Sequence, residues 1–181
     1  MKRTFNEPAT QNEIINQTLN FFWTIGCFLP VLLFWMGRTP DVWLYGSVLC
    51  SIAIGFLPGS FFKLLQLSQN PRFYKKYGVT VIRRYVQNGD LINRLYRQKS
   101  PQYKVIKDPR KIYNYRKTIA MYERYHFTCF VFFLLTTILS LITHHYTIAI
   151  LITGCNIIYN VCPIFLQQYN RLRIQILKGR I

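Results

Sequence analysis

Acidic side chains are scarce in this chain of 181 residues: six Asp and Glu stand against 23 Lys and Arg. The five cysteines, Cys27, Cys50, Cys129, Cys155 and Cys162, contain no Cys-x-x-Cys pair and have no acidic cluster near them. A zinc site needs such clustering and a disulfide framework is poorly served by an odd count, so neither is expected, and the thiols read as small apolar packing groups. Also missing are a Gly-x-Ser-x-Gly elbow, a P-loop, a dinucleotide-binding glycine pattern and any internal repeat. No bound cofactor or metal follows from what is left.

Charge of either sign is nearly absent from four apolar blocks, residues 19–36, 42–62, 127–142 and 146–166. A helix needs about 20 residues to cross the hydrocarbon core, with a range of about 17 to 25. The second and fourth blocks meet that alone; the first and third need neighbours such as Thr18, Tyr125 and His126. A cleaved signal peptide is a poor account of the first block, because mostly polar residues precede a full-length span that another follows closely. With 51% hydrophobic residues and a net charge of +17, the composition predicts an all-α, polytopic membrane protein with four transmembrane helices.

Between Lys63 and Arg124 sixteen Lys and Arg face three acids, Asp90, Asp108 and Glu123, and the C-terminal tail adds Arg171, Arg173, Lys178 and Arg180. The positive-inside rule then puts the N-terminus (1–18), a basic segment between the second and third spans (63–124) and the tail (169–181) in the cytoplasm of a multi-pass cell-membrane protein. Helical hairpins at 19–62 and 125–168 complete a single membrane domain. Apolar residues recur within the basic segment, at Val79, Val81, Ile82, Tyr85, Val86, Leu91, Ile92, Leu95 and Tyr96, which predicts two amphipathic helical pieces parted at "QNGD", with Gly89 ending the first and Asp90 capping the second. Tyrosines interleaved with Lys and Arg suit anionic lipid headgroups. The same mixture can bind nucleic acid, but spans bracket the segment and already account for its charge, so no nucleic acid partner is expected. Asp108 and Pro109 form an N-cap and first-turn pair for a helix running into the third span.

Two groups of residues carry candidate chemistry. Glu123 and His126 are three apart and share a helical face at the expected interface, where a carboxylate orienting an imidazole would make a general base. The competing reading pairs Glu123 with Arg124 or Arg171 and leaves His126 as an interfacial cap. His144 and His145, adjacent in the outer loop with no third ligand, read as a polar turn. In the fourth block Asn156, Asn160, Pro163, Gln167 and Arg171 advance by four, three, four and four residues, so they fall on one face. A polar face in lipid must meet another helix or a wet cavity.

"NIIYNVCPIFLQQYNRLRI" resembles the C-terminus of the glycosyl-4,4'-diaponeurosporenoate acyltransferase family. The order of parts agrees: "FLPGSFF" closes the second block, "NPRFYKKYGV" follows, and a Glu stands three residues before a His at the start of the third. The resemblance covers roughly residues 50 to 175. It implies a small integral membrane protein that transfers a fatty acyl chain to the sugar of a glycosylated carotenoid. It aligns Glu123 and His126 with the family's Glu and His, Gln167, Tyr169, Asn170 and Arg171 with its terminal motif, and Pro58, Phe62, Phe73, Tyr74 and Gly78 with the entry to the basic segment. The chain departs from the family after Gly78, where no Lys-Trp-Lys run appears, and at Gln168, where Arg is usual.

The expected function is acylation of a hydroxyl on a lipid or glycolipid, with acyl-CoA or acyl-carrier protein as donor. His126 is the expected base and Glu123 its orienter; Asn156, Asn160, Gln167, Tyr169, Asn170, Arg171 and Arg173 would hold the acceptor. The alternative is a non-enzymatic assembly protein that docks a membrane partner, or a second copy of itself, on the polar face of the fourth span.

Overall fold

The structure is a computed structural model that describes residues 7–86, 89, 90, 94 and 112–178, with the backbone alone for 7–13, 112–114 and 177–178. Among the described residues there are helices and no strands. In order they are α1 (Glu7–Met36), α2 (Val42–Gly55), α3 (Gly59–Leu64), α4 (Pro71–Lys76), α5 (Val79–Tyr85), α6 (Ile112–Ile142), α7 (Tyr146–Asn156), a π turn (Ile157–Val161) and α8 (Cys162–Lys178). The last three form one continuous rod. At 1.5 Å per residue α6 is about 46 Å long and the rod about 50 Å, both longer than the roughly 30 Å of hydrocarbon in a bilayer.

Three stretches are long and apolar enough to cross a membrane: Ile14–Met36, Tyr115–Ile142 and Tyr146–Ile176. Their outer surfaces are apolar. On α1, Phe21, Phe22, Ile25, Leu29, Leu32 and Leu33 are each at least half exposed, whereas Ser47, Ser51, Glu123, Thr136, Ser140, Asn156, Asn160 and Gln168 are buried. This inverts the pattern of a water-soluble domain and matches helices whose contacts are made through small and polar groups in an apolar medium.

The second block differs from its expected form. Its helix stops after 14 residues at Gly55, and the chain restarts at Gly59 with Pro58 as N-cap. Proline has no N–H to continue the ladder and disfavours helical backbone in the residue before it. At about 21 Å, α2 is shorter than the hydrocarbon core. α2 lies along α6, while α1 packs on α7 and the π turn. Gly55 allows the close approach of α2: a Cβ there would stand 3.0 Å from Thr128 Oγ1. The start of α2 is fixed by Asp41, whose Oδ1 accepts from the amides of Trp43 and Leu44 at 3.0 and 3.1 Å.

Two apolar cores flank the middle of the molecule. One joins Val31 and Phe34 of α1, Phe133 and Leu139 of α6, and Ile152 of α7. The other seats the segment after α3 on the last helix, through Tyr74, Val79, Leu166, Tyr169 and Leu172. Gly78, at φ +84°, supplies the left-handed residue that turns α4 into α5. Of the two amphipathic pieces, the first is α5, followed by an ion pair from Arg83 to Asp90 at 2.9 Å. Most of the second, with Leu91, Ile92 and Leu95, lies outside the described residues, as do Asp108 and Pro109.

Candidate functional site

Between the two cores α6 and the last helix hold a layer of polar side chains. Measured from the turn at 143–145, His126 lies about 24 Å and Glu123 about 28 Å along α6, and the Glu123 side chain and His126 Nδ1 are both buried against neighbouring helices. Desolvation there makes every unpaired polar group costly, so the partners of these side chains determine what the layer can do.

Glu123 is 1% exposed, and its Oε2 accepts from Arg171 Nη1 at 2.5 Å. Arg171 is the hub of this half of the layer: it also donates from Nε to Gln66 Oε1 at 2.9 Å, from Nη2 to that same oxygen and from Nη2 to the Phe62 carbonyl at 3.3 Å. The guanidinium thus ties α6, the last helix and the end of α3 together. Arg124 points elsewhere, with Nη1 donating to the Gly55 carbonyl at 3.3 Å and its guanidinium carbon 5.4 Å from the Phe62 ring centre. Of the two expected partners for Glu123, Arg171 is the one that the structure selects.

The carboxylate therefore does not orient the imidazole in this arrangement. Glu123 Oε2 is committed to Arg171, while Oε1 and His126 Nδ1 are both buried without a partner. His126 instead faces the π turn. Its ring lies 5.6 Å from that of Tyr159. Asn160 is wholly buried; its Nδ2 donates to Asn156 Oδ1 at 2.8 Å, and Asn156 Nδ2 donates to the Phe130 carbonyl at 3.2 Å. Asn160 Oδ1 has no partner.

A line of hydroxyls leads away from this group toward α1. Thr24 Oγ1 donates to the Asn20 carbonyl at 2.8 Å, so its contact of 2.9 Å with Tyr159 makes Tyr159 the donor. Tyr159 then accepts from the Tyr125 hydroxyl, 3.0 Å away. Tyr125 and Tyr159 join the site only through tertiary packing, and nothing in their spacing distinguishes them from other tyrosines of the chain.

The polar face of the fourth block turns inward, but with a shifted register. The buried stripe runs Asn156, Asn160, Ile164, Gln168 and Leu172, every fourth residue. A π turn closes over one residue more than an α turn, so the register beyond it advances and Gln168 takes the inward position that the spacing assigned to Gln167. Gln167 is half-buried at the flank. Gln168, seen in the sequence only as a departure from the family pattern, is 1% exposed. It accepts from Leu67 N and the Tyr74 hydroxyl, each at 3.1 Å, and donates to the Leu65 carbonyl at 2.9 Å. Tyr74 also accepts from Gln66 Nε2 at 2.6 Å, and burial pushes its hydroxyl above the ordinary tyrosine range, which keeps it neutral.

Tyr169 belongs to the apolar core against α4 and α5, with Arg173 exposed and stacked over its ring at 5.7 Å. Asn170 is half-buried. The structure therefore gathers Glu123, Arg171, His126, Asn156 and Asn160 into one layer and assigns Tyr169 and Arg173 to the packing of the following segment. The docking role considered for the polar face meets an obstacle: Asn156 and Asn160 are 6% and 0% exposed and are hydrogen-bonded within the chain, so they are not free for a partner's helix.

Among the described residues no group of three or more His, Cys, Asp and Glu could hold a metal ion. Compared with known proteins, residues 58–180, more than half of the chain, match the model of the glycosyl-4,4'-diaponeurosporenoate acyltransferase family. No curated protein and no solved structure matches.

Proposed function

The chain belongs to the glycosyl-4,4'-diaponeurosporenoate acyltransferase family, and from that premise we propose that it transfers a fatty acyl chain from a thioester donor to a hydroxyl of a lipid or glycolipid, with a glycosyl carotenoid as the acceptor class. The observation that carries the reading is His126, whose Nδ1 is buried and unpartnered within a polar layer between apolar cores. A neutral imidazole nitrogen whose lone pair has no internal donor is free to take a proton from a hydroxyl brought against it. As that proton moves to His126, the hydroxyl oxygen attacks the acyl carbonyl, the carbon–sulfur bond breaks, and the leaving thiolate recovers the proton. The unpartnered oxygens of Glu123 and Asn160 are acceptors for further hydroxyls of the sugar. Arg171 holds Glu123 in place.

In this reading the chain crosses the cell membrane four times with both termini and the basic segment in the cytoplasm. α2 and α3 together make the crossing that neither makes alone. Lys63, Arg72, Lys75, Lys76 and Arg84 are exposed on α3 to α5 and form a cationic surface suited to the phosphates of acyl-CoA or of the prosthetic group on an acyl-carrier protein.

The test is His126→Ala, with acylated lipid measured by mass spectrometry in membranes supplied with the glycosylated acceptor. Removing a general base should lower acylation by about 10²- to 10⁴-fold, with protein level and thermal stability in detergent retained. Acylation that persisted at the parental rate would refute the reading.

A further inference from the structure

With Glu123 committed to Arg171, it is two tyrosine rings that bear on the imidazole of His126. Tyr125 lies 5.1 Å from it at 74° and Tyr159 lies 5.6 Å from it at 71°, both edge to face. Such contacts are directional, because aromatic faces are negative and edges positive. The hydroxyls of the same two tyrosines are 3.0 Å apart, so each member of the trio touches the other two. Tyr159 is the more firmly held. It is 5% exposed, Phe28 of α1 meets its ring edge-on at 5.5 Å, and Phe133 of α6 lies parallel to it at 6.4 Å. Its hydroxyl donates to Thr24 Oγ1 at 2.9 Å, because the Thr24 proton is already given to the Asn20 carbonyl, and it accepts from Tyr125. A phenol fixed at Cβ by the π turn and at its oxygen by two hydrogen bonds cannot tilt, so the surface that it offers to His126 is fixed as well. Thr24 belongs to α1, outside the matched residues 58–180, so the first helix acts on the imidazole through this hydroxyl.

We propose that Tyr159 is a positioning residue for His126: its ring, pinned through Thr24 and Tyr125, holds the imidazole in the orientation that presents Nδ1 to the acceptor hydroxyl. Catalysis depends on that orientation, since a misplacement of about 1 Å can cost about a hundredfold in rate. The catalytic half of this inference rests on the reading of His126 as the base; the restraint on the ring does not.

The experiment is solid-state NMR of the full-length protein, carbon-labelled at histidine, in lipid bilayers, with the carbon–proton dipolar order of the imidazole as the readout. His144→Asn and His145→Gln, both in the outer turn, remove the other two histidine signals. In the parent the ring should be rigid, with an order parameter of about 0.85. Tyr159→Phe keeps the aromatic ring and deletes both hydrogen bonds; the order parameter should fall to about 0.6 or below, and kcat should fall roughly tenfold with KM within about twofold. Thr24→Val, which leaves Tyr159 in place and removes its acceptor, should act in the same direction, and it decides the question if Tyr159→Phe does not assemble. A mobile imidazole in the parent, or an unchanged order parameter in Tyr159→Phe, overturns the proposal whatever the activity does. A ring that becomes mobile while kcat stays intact upholds the restraint and refutes the role of His126 as base.

Discussion

Replacing Arg171 by Met removes the charge and all four hydrogen bonds that its guanidinium makes while keeping an unbranched apolar stem. Glu123, 1% exposed, would then be a carboxylate in an apolar surrounding with no counter-ion, and Gln66 Oε1 and the Phe62 carbonyl would lose their donor. Breaking a buried ion pair from one side costs about 3–5 kcal/mol. That is two to three and a half orders of magnitude in the folding equilibrium at about 1.4 kcal/mol per decade. Removing both charges at once leaves no stranded ion, so Glu123→Gln/Arg171→Met should recover most of the loss. Arg171→Lys should be intermediate, since one ammonium cannot reproduce the planar contacts to Glu123 and Gln66 together. The assay is unfolding in mixed micelles as the denaturing detergent fraction rises, followed by the fluorescence of Trp23, Trp35 and Trp43. Trp35 reports on the packed interior, because its Nε1 donates to Thr136 at 3.2 Å. If Arg171→Met unfolds at the same detergent fraction as the parent, or if the double variant is as unstable as the single one, the ion pair does not hold this layer together.

Two further outcomes follow from the same contacts. Gln168→Leu strands Leu67 N–H and the Leu65 carbonyl, at about 1–3 kcal/mol for each group left unsatisfied, so the 65–70 connection should be cut faster by protease at Lys63 and Arg72; an unchanged cleavage rate would contradict its role as a clamp. Asp41 is held below the ordinary carboxylate range, first by the Leu44 amide and then by Arg38 and the Trp43 amide. A depressed value means that its stabilisation of the start of α2 is present above the unfolded value, about 3.9, and is lost as the pH falls through the folded one. Hydrogen-exchange protection at Trp43 and Leu44, relative to Asp41→Asn, should therefore decline on acidification, and an identical pH course in the Asn variant would refute it.

The extent to which the site could be read from the sequence differs by residue. Glu123 and His126 were identifiable because they are rare groups at the edge of an apolar block, and Asn156 and Asn160 because two amides in a span need partners. Their partners were not identifiable in the same way. Both Arg124 and Arg171 were open to Glu123, and the carboxylate was expected to serve His126, because spacing along one helix says which residues share a face but not what another helix brings to it. Gln168 escaped notice because a uniform 3.6-residue repeat favours Gln167, and only a π turn moves the register by one. Pro163 marked a disturbance of the helix without saying that it would take the form of a π turn at Ile157–Val161.

The sequence by itself determined that the chain is helical, that its long helices are apolar outside, and which few polar residues must be buried. Those follow from composition and from the cost of leaving a backbone amide or a charge unpaired in an apolar medium. Tertiary structure alone decided that α2 lies along α6 while α1 also packs on α7 and the π turn, and that Arg171 rather than His126 takes the carboxylate. Each of these depends on contacts between residues distant along the chain, such as the 105 positions separating Gln66 from Arg171, and no local pattern encodes such a distance.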